Sequence, residues 1–469
     1  MTSTISNSDA RMKHLIQPKR VFTATTAAVC TLVLLATALS APAILAQDET
    51  PWTPLKPGSD NMAVEGHVPL GLPLNTMDLD IEQELSRPYV YVSRGTVGEG
   101  TERGTDIIDI SDPSSPKVLK RWRIESQELH TGLGGMDVKY FKWNDRYYVV
   151  QSTQFGPGPN NDLGAYILDV TGLPDAATVR EAGRIHEPDL PGGFHNIFVY
   201  KHSNGRVYLF TTVSGPNAHI YDLGSIVDGD SGNGFVGTVP VPLPGGETSG
   251  SYHDLYVAWH PDTEEDRFYG GGTGGYYVYD VTDVENPELE ITLTGITGVR
   301  YGHTFTPSPD GRYVVTETEY QYAPLRMFDL KPALDGDVTN IRQPISAWTA
   351  NWQNLVHNHE VRWPFVFVSG YHDGLQVFSM MDPENPVTVG YYDTYTGSRK
   401  AGVMEGAVAN GAFGVDVRNA DGLIVISDMT TGFWTFRMEG FNGWNGEDWG
   451  QPNISSAQQF DEESKEGTK

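Results

Sequence analysis

The sequence predicts an all-β fold, a seven-bladed β-propeller closed by an N-terminal strand that completes the C-terminal blade. Short β-favouring runs recur seven times, at a spacing of about 50 to 60 residues, which is the size of one propeller blade. The runs alternate apolar and polar residues with period 2, as antiparallel strands do. The chain also contains 52 glycines and 30 prolines, which suits many strands joined by tight turns.

Each repeat has the same internal order. An apolar run is followed by a turn, a second run that ends in a hydrophobic-Asp pair, a turn that often contains proline, and a further run. The pairs lie in IIDI, YILDV, IYDL, VYDV and MFDL, and the last two repeats carry QVFSM and FWTF in their place. The seven repeats begin near Met77, Met136, His195, His253, His303, His359 and Val415.

The seventh repeat is one strand short. Six repeats have a fourth run, whereas the seventh ends at FWTFRMEG. A matching run, MAVEGHVPLG at 62–71, precedes the first repeat. We therefore predict that this N-terminal segment pairs with the last repeat, because closing the ring hides sheet edges that would otherwise be exposed.

Three of the repeat units carry a resemblance to a known family. GTDIIDISDPSSPKVL, YYVYDVTDVENPEL and GLQVFSMMDPENPVTVGYY resemble the LVIVD-type repeats of secreted bacterial β-propellers. The resemblance covers roughly residues 62–438. It implies an exported propeller and specifies no reaction, because a fold does not fix chemistry.

The two ends of the chain lie outside the repeats. Residues 1–46 have a basic start, an apolar run and small residues before a cleavage point after Ala43 or Ala46, so they predict a signal peptide rather than a retained anchor. A linker at 47–61 and an acidic polar tail at 439–469 complete the predicted organisation. The protein is expected in the periplasm or outside the cell, with no membrane span after signal removal.

Cysteine usage and charge exclude several functions. The only cysteine, Cys30, lies in the predicted signal peptide, so the mature protein can form no disulfide, thiolate-bound zinc site or cysteine nucleophile. The formal net charge is −28, which repels nucleic-acid phosphates and anionic membranes. The expected partner is therefore a small-molecule or protein ligand at a propeller face, and not nucleic acid.

Four histidines open consecutive repeats at one position. They are His195, His253, His303 and His359. A closed ring of repeats brings equivalent positions together, so we expect these side chains at one mouth of the central channel. Imidazole nitrogens suit Cu, Fe, Zn and Ni, and the ring is a candidate site for one transition metal ion.

A structural role is the alternative for these histidines. Each ring would then hydrogen-bond within its own blade to the aspartate of the hydrophobic-Asp pair. The aspartates at the matching interval are Asp222, Asp280 and Asp329.

A second set of polar residues follows the histidine position. Its members are Asp78, Asp137, Asn196, Asp254, Thr304, Glu360 and Asp416. Several carboxylates near one axis would bind Ca²⁺ or steer a cation. Alternatively, they accept hydrogen bonds from backbone N–H groups at the ends of the inner strands.

Further candidate ligand-binding residues lie beside the repeats' second strands and ahead of the histidine of the fifth repeat. Glu317, Glu319, Tyr371 and His372 follow second strands, where propeller loops line a face. Arg300 and Tyr301 precede His303. The sequence thus predicts a ligand- or partner-binding propeller with a histidine-lined mouth. It leaves open a histidine-metal oxidase or hydrolase, a polysaccharide lyase using Tyr, His and Arg, and a pure interaction scaffold.

Overall fold

The computed structural model describes residues 57–97, 102–130, 132–156, 159–230, 232–242, 250–395 and 409–452. These residues form seven four-stranded antiparallel sheets arranged as a β-propeller, which confirms the predicted fold class. The predicted signal peptide, most of the linker and the tail beyond residue 452 lie outside the described residues. No helix in the described ranges is long and apolar enough to cross a membrane.

The blades follow one another along the chain, and in blades 1 to 6 the chain runs from the inner to the outer strand. A first strand, β1 (Met62–Val68), precedes them. Blade 1 consists of β2 (Thr76–Ile81), β3 (Tyr89–Arg94), β4 (Gly104–Asp109) and β5 (Lys117–Arg123). Blade 2 consists of β7 (Val138–Trp143), β8 (Arg146–Ser152), β10 (Leu163–Asp169) and β11 (Arg180–His186). Blade 3 consists of β12 (Phe194–Lys201), β13 (Val207–Val213), β14 (Asn217–Asp222) and β15 (Phe235–Pro240). Blade 4 consists of β16 (Tyr252–His260), β17 (Glu265–Gly272), β18 (Gly275–Asp280) and β19 (Glu288–Thr294). Blade 5 consists of β20 (Phe305–Pro307), β21 (Tyr313–Thr316), β22 (Leu325–Asp329) and β23 (Ser346–Trp348). Blade 6 consists of β24 (Asn358–Arg362), β25 (Phe365–Ser369), β26 (Leu375–Ser379) and β27 (Val387–Tyr392). Blade 7 consists of β28 (Ala412–Arg418), β29 (Leu423–Asp428), β30 (Gly432–Met438) and β1.

Smaller elements decorate the blades. A two-stranded ribbon pairs β6 (Gly132–Gly134) with β9 (Gln154–Phe155). Two short helices, α1 (Leu223–Asp228) and α2 (Lys331–Leu334), follow the third strands of blades 3 and 5.

The N-terminal strand closes the ring as predicted. β1 is the outer strand of blade 7 and pairs antiparallel with β30, from Met62 opposite Met438 to Val68 opposite Phe433. The inner strand of blade 7 also contacts that of blade 1. A hydrophobic cluster shared by the two blades, which includes Leu79 and Val425, fills the space between them.

The core lies between neighbouring blades, where β-branched and aromatic side chains from facing sheets meet. The beginning of the acidic tail joins this core. Phe441 and Trp444 are 3% and 6% exposed and pack on blades 6 and 7. The indole Nε1 of Trp444 donates to the carbonyl of Trp363 over 2.9 Å. The first part of the tail is therefore a folded extension of the propeller.

A recurring backbone irregularity shapes the mouth of the channel. In blades 1, 3, 4 and 7 the pairing of the inner strand with its neighbour shifts by one residue near the start of the inner strand. In blade 4, for example, Tyr252 faces Gly272 and Asp254 faces Gly271, so His253 is the extra residue of a β-bulge. A bulge re-orients a side chain that regular alternation would point away from the channel. Two consecutive side chains of the inner strand can then face the channel.

Candidate metal centre

The start of the inner strand in every blade contributes one residue to a layer at the channel mouth, at the bulge in blades 1, 3, 4 and 7 and just before the strand in blades 2, 5 and 6. In blades 1 to 7 these residues are Met77, Met136, His195, His253, His303, His357 and Phe413. The blade 6 member is His357 and not the predicted His359. The carbonyl of Ser369 accepts from the N–H of His357 over 2.9 Å, and the N–H of Asn358 is 3.2 Å from the Ser369 hydroxyl, as the N–H of Asn196 is 3.0 Å from Thr212 Oγ1. Four histidines do occupy neighbouring blades, but the fourth is two residues earlier than predicted.

The imidazoles form a continuous arc. The ring centroids of His195 and His253 are 5.0 Å apart, those of His253 and His303 are 4.2 Å apart, and those of His303 and His357 are 5.2 Å apart. His359 does not join them. It is 3% exposed and lies against the backbone of Val315 in blade 5.

Two carboxylates approach His303 from opposite sides. Glu317 Oε2 is 3.6 Å from His303 Nδ1, and Glu319 Oε2 is 3.8 Å from His303 Nε2. Glu319 Oε2 is also 3.7 Å from His253 Nε2. One nitrogen of each histidine and one oxygen of Glu319 lie within 4.8 Å of one another, a spacing at which they could hold a metal ion.

The period-2 alternation of a strand would place Glu317 and Glu319 on one side, but the two residues do not lie in a strand. The strand β21 ends at Thr316, before either glutamate. Glu319 has φ +48°, in the left-handed region that non-glycine residues rarely adopt. This turn brings Glu319 to the opposite nitrogen of His303 from Glu317, so the chain encloses the ring between the two carboxylates.

Neighbouring groups fix the orientation of these ligand candidates. His303 Nδ1 is 3.0 Å from the Thr304 hydroxyl and close to Glu317, which leaves its Nε2 as the atom facing Glu319. The hydroxyl of Tyr371 donates to Glu319 Oε1 over 2.6 Å. A carboxylate behind a metal-binding histidine and a donor behind a metal-binding carboxylate are typical outer-shell partners of metal sites.

The outer two histidines are also held in one tautomer. His195 Nδ1 is 2.8 Å from Gln154 Oε1, and His357 Nδ1 is 2.8 Å from the carbonyl of Phe413. Since both partners are acceptors, both Nδ1 atoms carry the proton. The Nε2 atoms therefore keep their lone pairs, which a metal ion or a bound water can use.

Burial sets the charge of the cluster. Burial, reinforced by His303, lowers the pKa of His195 to about 4 and lowers the pKa values of His253 and His357. Burial also disfavours a charged His303, but Glu317 and Glu319 outweigh it and raise its pKa to about 10. Burial raises the pKa of Glu317 to about 8. The field at the Glu317–His303–Glu319 line thus favours a positive charge, while the surrounding imidazoles stay neutral.

The predicted structural partners of the histidines are engaged elsewhere. Asp222 is paired with Arg206, and Asp329 is paired with Arg312 over 2.7 Å. Asp280 accepts from the backbone N–H of Thr282. The intra-blade His–Asp hydrogen bonds are therefore not formed.

The remaining candidate residues divide between the site and its surroundings. The ring of Tyr301 is 5.3 Å from that of His253, and its hydroxyl is 2.7 Å from Ser251 Oγ, so it borders the cluster. Arg300 is exposed. His372 is 1% exposed and stacks on Tyr395 with centroids 4.4 Å apart. Sequence reasoning missed His357, although VHN in blade 6 repeats the FHN of blade 3.

The second predicted set of polar residues lines the channel below the histidines. Its first layer consists of Asp78, Asp137, Asn196, Asp254, Thr304 and Asn358, and the next layer includes Asp80, Lys139, Tyr256, Glu360 and Asp416. Glu360 and Asp416 therefore lie one layer deeper than predicted, with Asn358 and Gly414 in their places. Asp137 Oδ1 accepts from its neighbour's N–H at Val138, and Asp137 Oδ2 accepts from Ile197 in the next blade. These bonds agree with the backbone-capping interpretation.

No protein-family model matches the chain, and a search of curated proteins finds no relative.

Proposed function

We propose that this chain is an exported LVIVD-type propeller that binds one transition metal ion at its mouth and presents it to a small-molecule or protein ligand. The ligands are His253 Nε2, His303 Nε2 and Glu319 Oε2. The observation that carries the proposal is His303 Nε2, a buried nitrogen that has no hydrogen-bond partner among the described residues and faces Glu319. Buried polar atoms are rarely left without a partner, and a metal ion supplies one.

The donor set narrows the choice of metal. Two imidazoles and one carboxylate match catalytic zinc sites and the facial triad of non-haem iron(II) sites. Both leave coordination positions open. The Nε2 atoms of His195 and His357 lie in the same arc and offer either further ligands or acceptors for a bound water. Zn²⁺ and Fe²⁺ therefore fit better than Cu or Ni.

A metal-dependent hydrolase or oxidase is the second candidate. The open positions favour it, because structural zinc sites are closed by four protein ligands. The left-handed backbone of Glu319 and of Tyr371, with φ +48° and +45°, also favours it, since such strain concentrates at functional sites. The lyase alternative loses support because Arg300 is exposed and has no ion pair with the cluster in the described part of the chain.

Metal content tests the proposal. Protein made in metal-replete medium and purified without chelators should carry about one equivalent of Zn or Fe by elemental analysis. His253→Ala and His303→Ala should lose it. His359→Ala is the matched control, since His359 is a buried histidine of blade 6 outside the arc, and it should keep the metal. A metal-free wild type, or equal metal in His303→Ala, would contradict the site.

Export needs its own measurement. The mass of the mature protein from its native envelope should correspond to a start shortly after Ala43 or Ala46. A chain that retains Met1 would contradict export by a cleaved signal.

A further inference from the structure

The channel below the histidine layer encloses a polar cavity of about 60 Å³. Its lining carboxylates are Asp78, Asp80, Asp137, Asp254, Glu360 and Asp416. We propose that this cavity is a second cation site, separate from the histidine cluster, which holds a hard divalent ion such as Ca²⁺ through oxygen ligands and water. The site does not depend on the proposed transition metal.

Charge is the first argument. Lys139 Nζ is 2.6 Å from Asp137 Oδ1, and Arg362 lies within 2.9 Å of Glu360 and 3.4 Å of Asp416. Two cations thus face six carboxylates. Asp78, Asp80 and Asp254 have no ion pair among the described residues, although they are only 7%, 6% and 9% exposed.

Uncompensated buried charge has a large free-energy cost, so it must be neutralised by protons or by a counter-ion. Burial, opposed by Lys139 and reinforced by neighbouring acids, raises the pKa values of Asp78 and Asp80. A divalent ion would provide the missing positive charge and displace those protons.

Two unpartnered side chains provide an independent argument. Asn196 Nδ2 and the hydroxyl of Tyr256 line the cavity and have no hydrogen-bond partner among the described residues. The two residues are 6% and 4% exposed. Buried donors of this kind require an acceptor inside the cavity. The water ligands of a bound ion supply that acceptor, whereas a dry cavity does not.

Polar side chains of the first layer of the channel lie within hydrogen-bond distance of one another. The Thr304 hydroxyl donates to Asp254 Oδ2 over 3.0 Å and is 3.1 Å from Asn358 Oδ1. Asn358 Nδ2 in turn donates to Asp78 Oδ2 over 2.8 Å. Carboxylates of blades 1 and 4 thereby lie at the two ends of one set of neighbouring polar groups, in which the single Thr304 hydroxyl proton serves either Asp254 or Asn358. Each still has lone pairs that no backbone N–H uses.

The chemistry of the lining selects a hard ion. Most donors in the cavity are oxygens of carboxylates, amides and hydroxyls; the one lining imidazole is that of His359, which lies outside the arc. Donor sets dominated by oxygen suit Ca²⁺ and Mg²⁺. The volume is several times the roughly 15 Å³ that one water needs, so an ion can keep part of its hydration. Ca²⁺ tolerates an irregular ligand arrangement better than Mg²⁺, and it is therefore the expected occupant.

The test is calcium binding by the full-length protein after chelator treatment, measured by isothermal titration with CaCl₂. One Ca²⁺ per chain should bind, and the melting temperature should rise with its concentration. Asp254→Asn and Asp78→Asn should weaken Ca²⁺ at least tenfold, and Tyr256→Phe should weaken it less while preserving the packed ring. His303→Ala should bind Ca²⁺ as the wild type does, so loss of the mouth site and loss of the channel site are distinguishable.

Two results would contradict the proposed Ca²⁺ site. If 10 mM Ca²⁺ gives neither heat nor a shift in melting temperature, and Asp254→Asn and Asp78→Asn are more stable than the wild type, the carboxylates are neutralised by protons. The cavity then holds water alone, and the proposal is wrong. Loss of Ca²⁺ binding in His303→Ala with normal binding in Asp254→Asn would also overturn it, since the ion would then lie at the mouth.

Discussion

Blades 3 to 6 place histidine at the channel mouth, whereas blades 7, 1 and 2 place Phe413, Met77 and Met136 at the equivalent positions. We call blades 7, 1 and 2 the apolar half and blades 3 to 6 the histidine half. The mouth residues of the apolar half are buried from solvent. Its three side chains are 4%, 0% and 6% exposed and pack with Leu74 and Met429 among others. In the histidine half the side chain of His253 is 21% exposed, whereas His303 and His357 are as buried as the apolar residues. The two halves meet where His357 stacks on Phe413, with centroids 3.6 Å apart.

The comparison teaches how a repeat fold acquires a site. The β-bulge occurs in both halves, at His253 in blade 4 and at Phe413 in blade 7, so the backbone device is independent of the side chain that it carries. One half uses the position for packing, and the other uses it to gather nitrogen ligands. Substitutions in the apolar half should therefore lower the stability of the fold, whereas substitutions in the histidine half should lower the metal affinity.

The largest expected effect is on stability, in the apolar half. Phe413→Ala should lower the free energy of unfolding by about 3 to 5 kcal/mol, because it leaves a cavity beside His357 and Tyr371. The transition-metal content should stay as in the wild type, since His253, His303 and Glu319 are unchanged. Urea unfolding and elemental analysis of the same preparation measure both. Phe413→Leu is the control and should lose less stability. Metal loss with little loss of stability would break the distinction between the halves.

The next effect concerns metal affinity in the histidine half. Glu317→Gln keeps the shape of the side chain but removes the carboxyl group behind His303 Nδ1. Loss of such an outer-shell carboxylate typically weakens metal binding 10- to 100-fold, or about 1.4 to 2.7 kcal/mol. Competition with a chromophoric chelator gives the affinity. Met136→Leu is the control from the apolar half, and an equal loss in that variant would contradict the outer-shell role of Glu317.

Acid should destabilise the protein through the buried histidines. Burial, reinforced by His303, lowers the pKa of His359 to about 3, below the value near 6.5 of an unfolded chain. Between these values the unfolded chain binds a proton that the folded protein does not, so stability falls as the pH falls below 6.5.

Replacing His359 isolates this contribution. His359→Gln should reduce the dependence of the unfolding free energy on pH by about 1.4 kcal/mol per pH unit between pH 6 and pH 4. Urea titrations at intervals across that range measure it. Met136→Leu should retain the wild-type slope, and an unchanged slope in His359→Gln would contradict the lowered pKa.

The smallest effect is on the stability of the metal-free protein when a histidine of the arc is removed. His253→Ala should change the unfolding free energy by about 1 kcal/mol or less, because the side chain is partly exposed and its closest charged contact is 3.7 Å long. Thermal unfolding in the presence of a chelator measures this. A decrease in the free energy of unfolding as large as that of Phe413→Ala would mean that the histidine half also stabilises the fold. The proposed difference between the two halves would then be wrong.

Much of the fold follows from the sequence because a propeller repeats one pattern. Seven strand groups, and a seventh group lacking its fourth strand, were sufficient to predict that residues 62–71 complete the last blade. This prediction is confirmed by the pairing of β1 with β30. Strand periodicity and a missing strand are both local properties that can be read along the chain.

The site was only partly predictable, for two physical reasons. VHNHE contains two histidines, and only the hydrogen bonds to Ser369 identify His357 as the one equivalent to the mouth residues of the other blades. Period-2 alternation also breaks down where φ is positive, so the position of Glu319 on the far nitrogen of His303 has no sequence signature. A bulge places His253 and a left-handed turn places Glu319.

The closure of blade 7 has a consequence for how the molecule is made. Thr435 Oγ1 donates to the carbonyl of Gly66 across 369 positions of the chain. Blades 1 to 6 are each continuous in sequence, whereas blade 7 combines residues 62–68 with residues 412–438 and needs both ends of the propeller. Contacts between such distant segments slow folding. We therefore expect the ring to close last, so that the mouth and the channel acquire their final geometry only in that step.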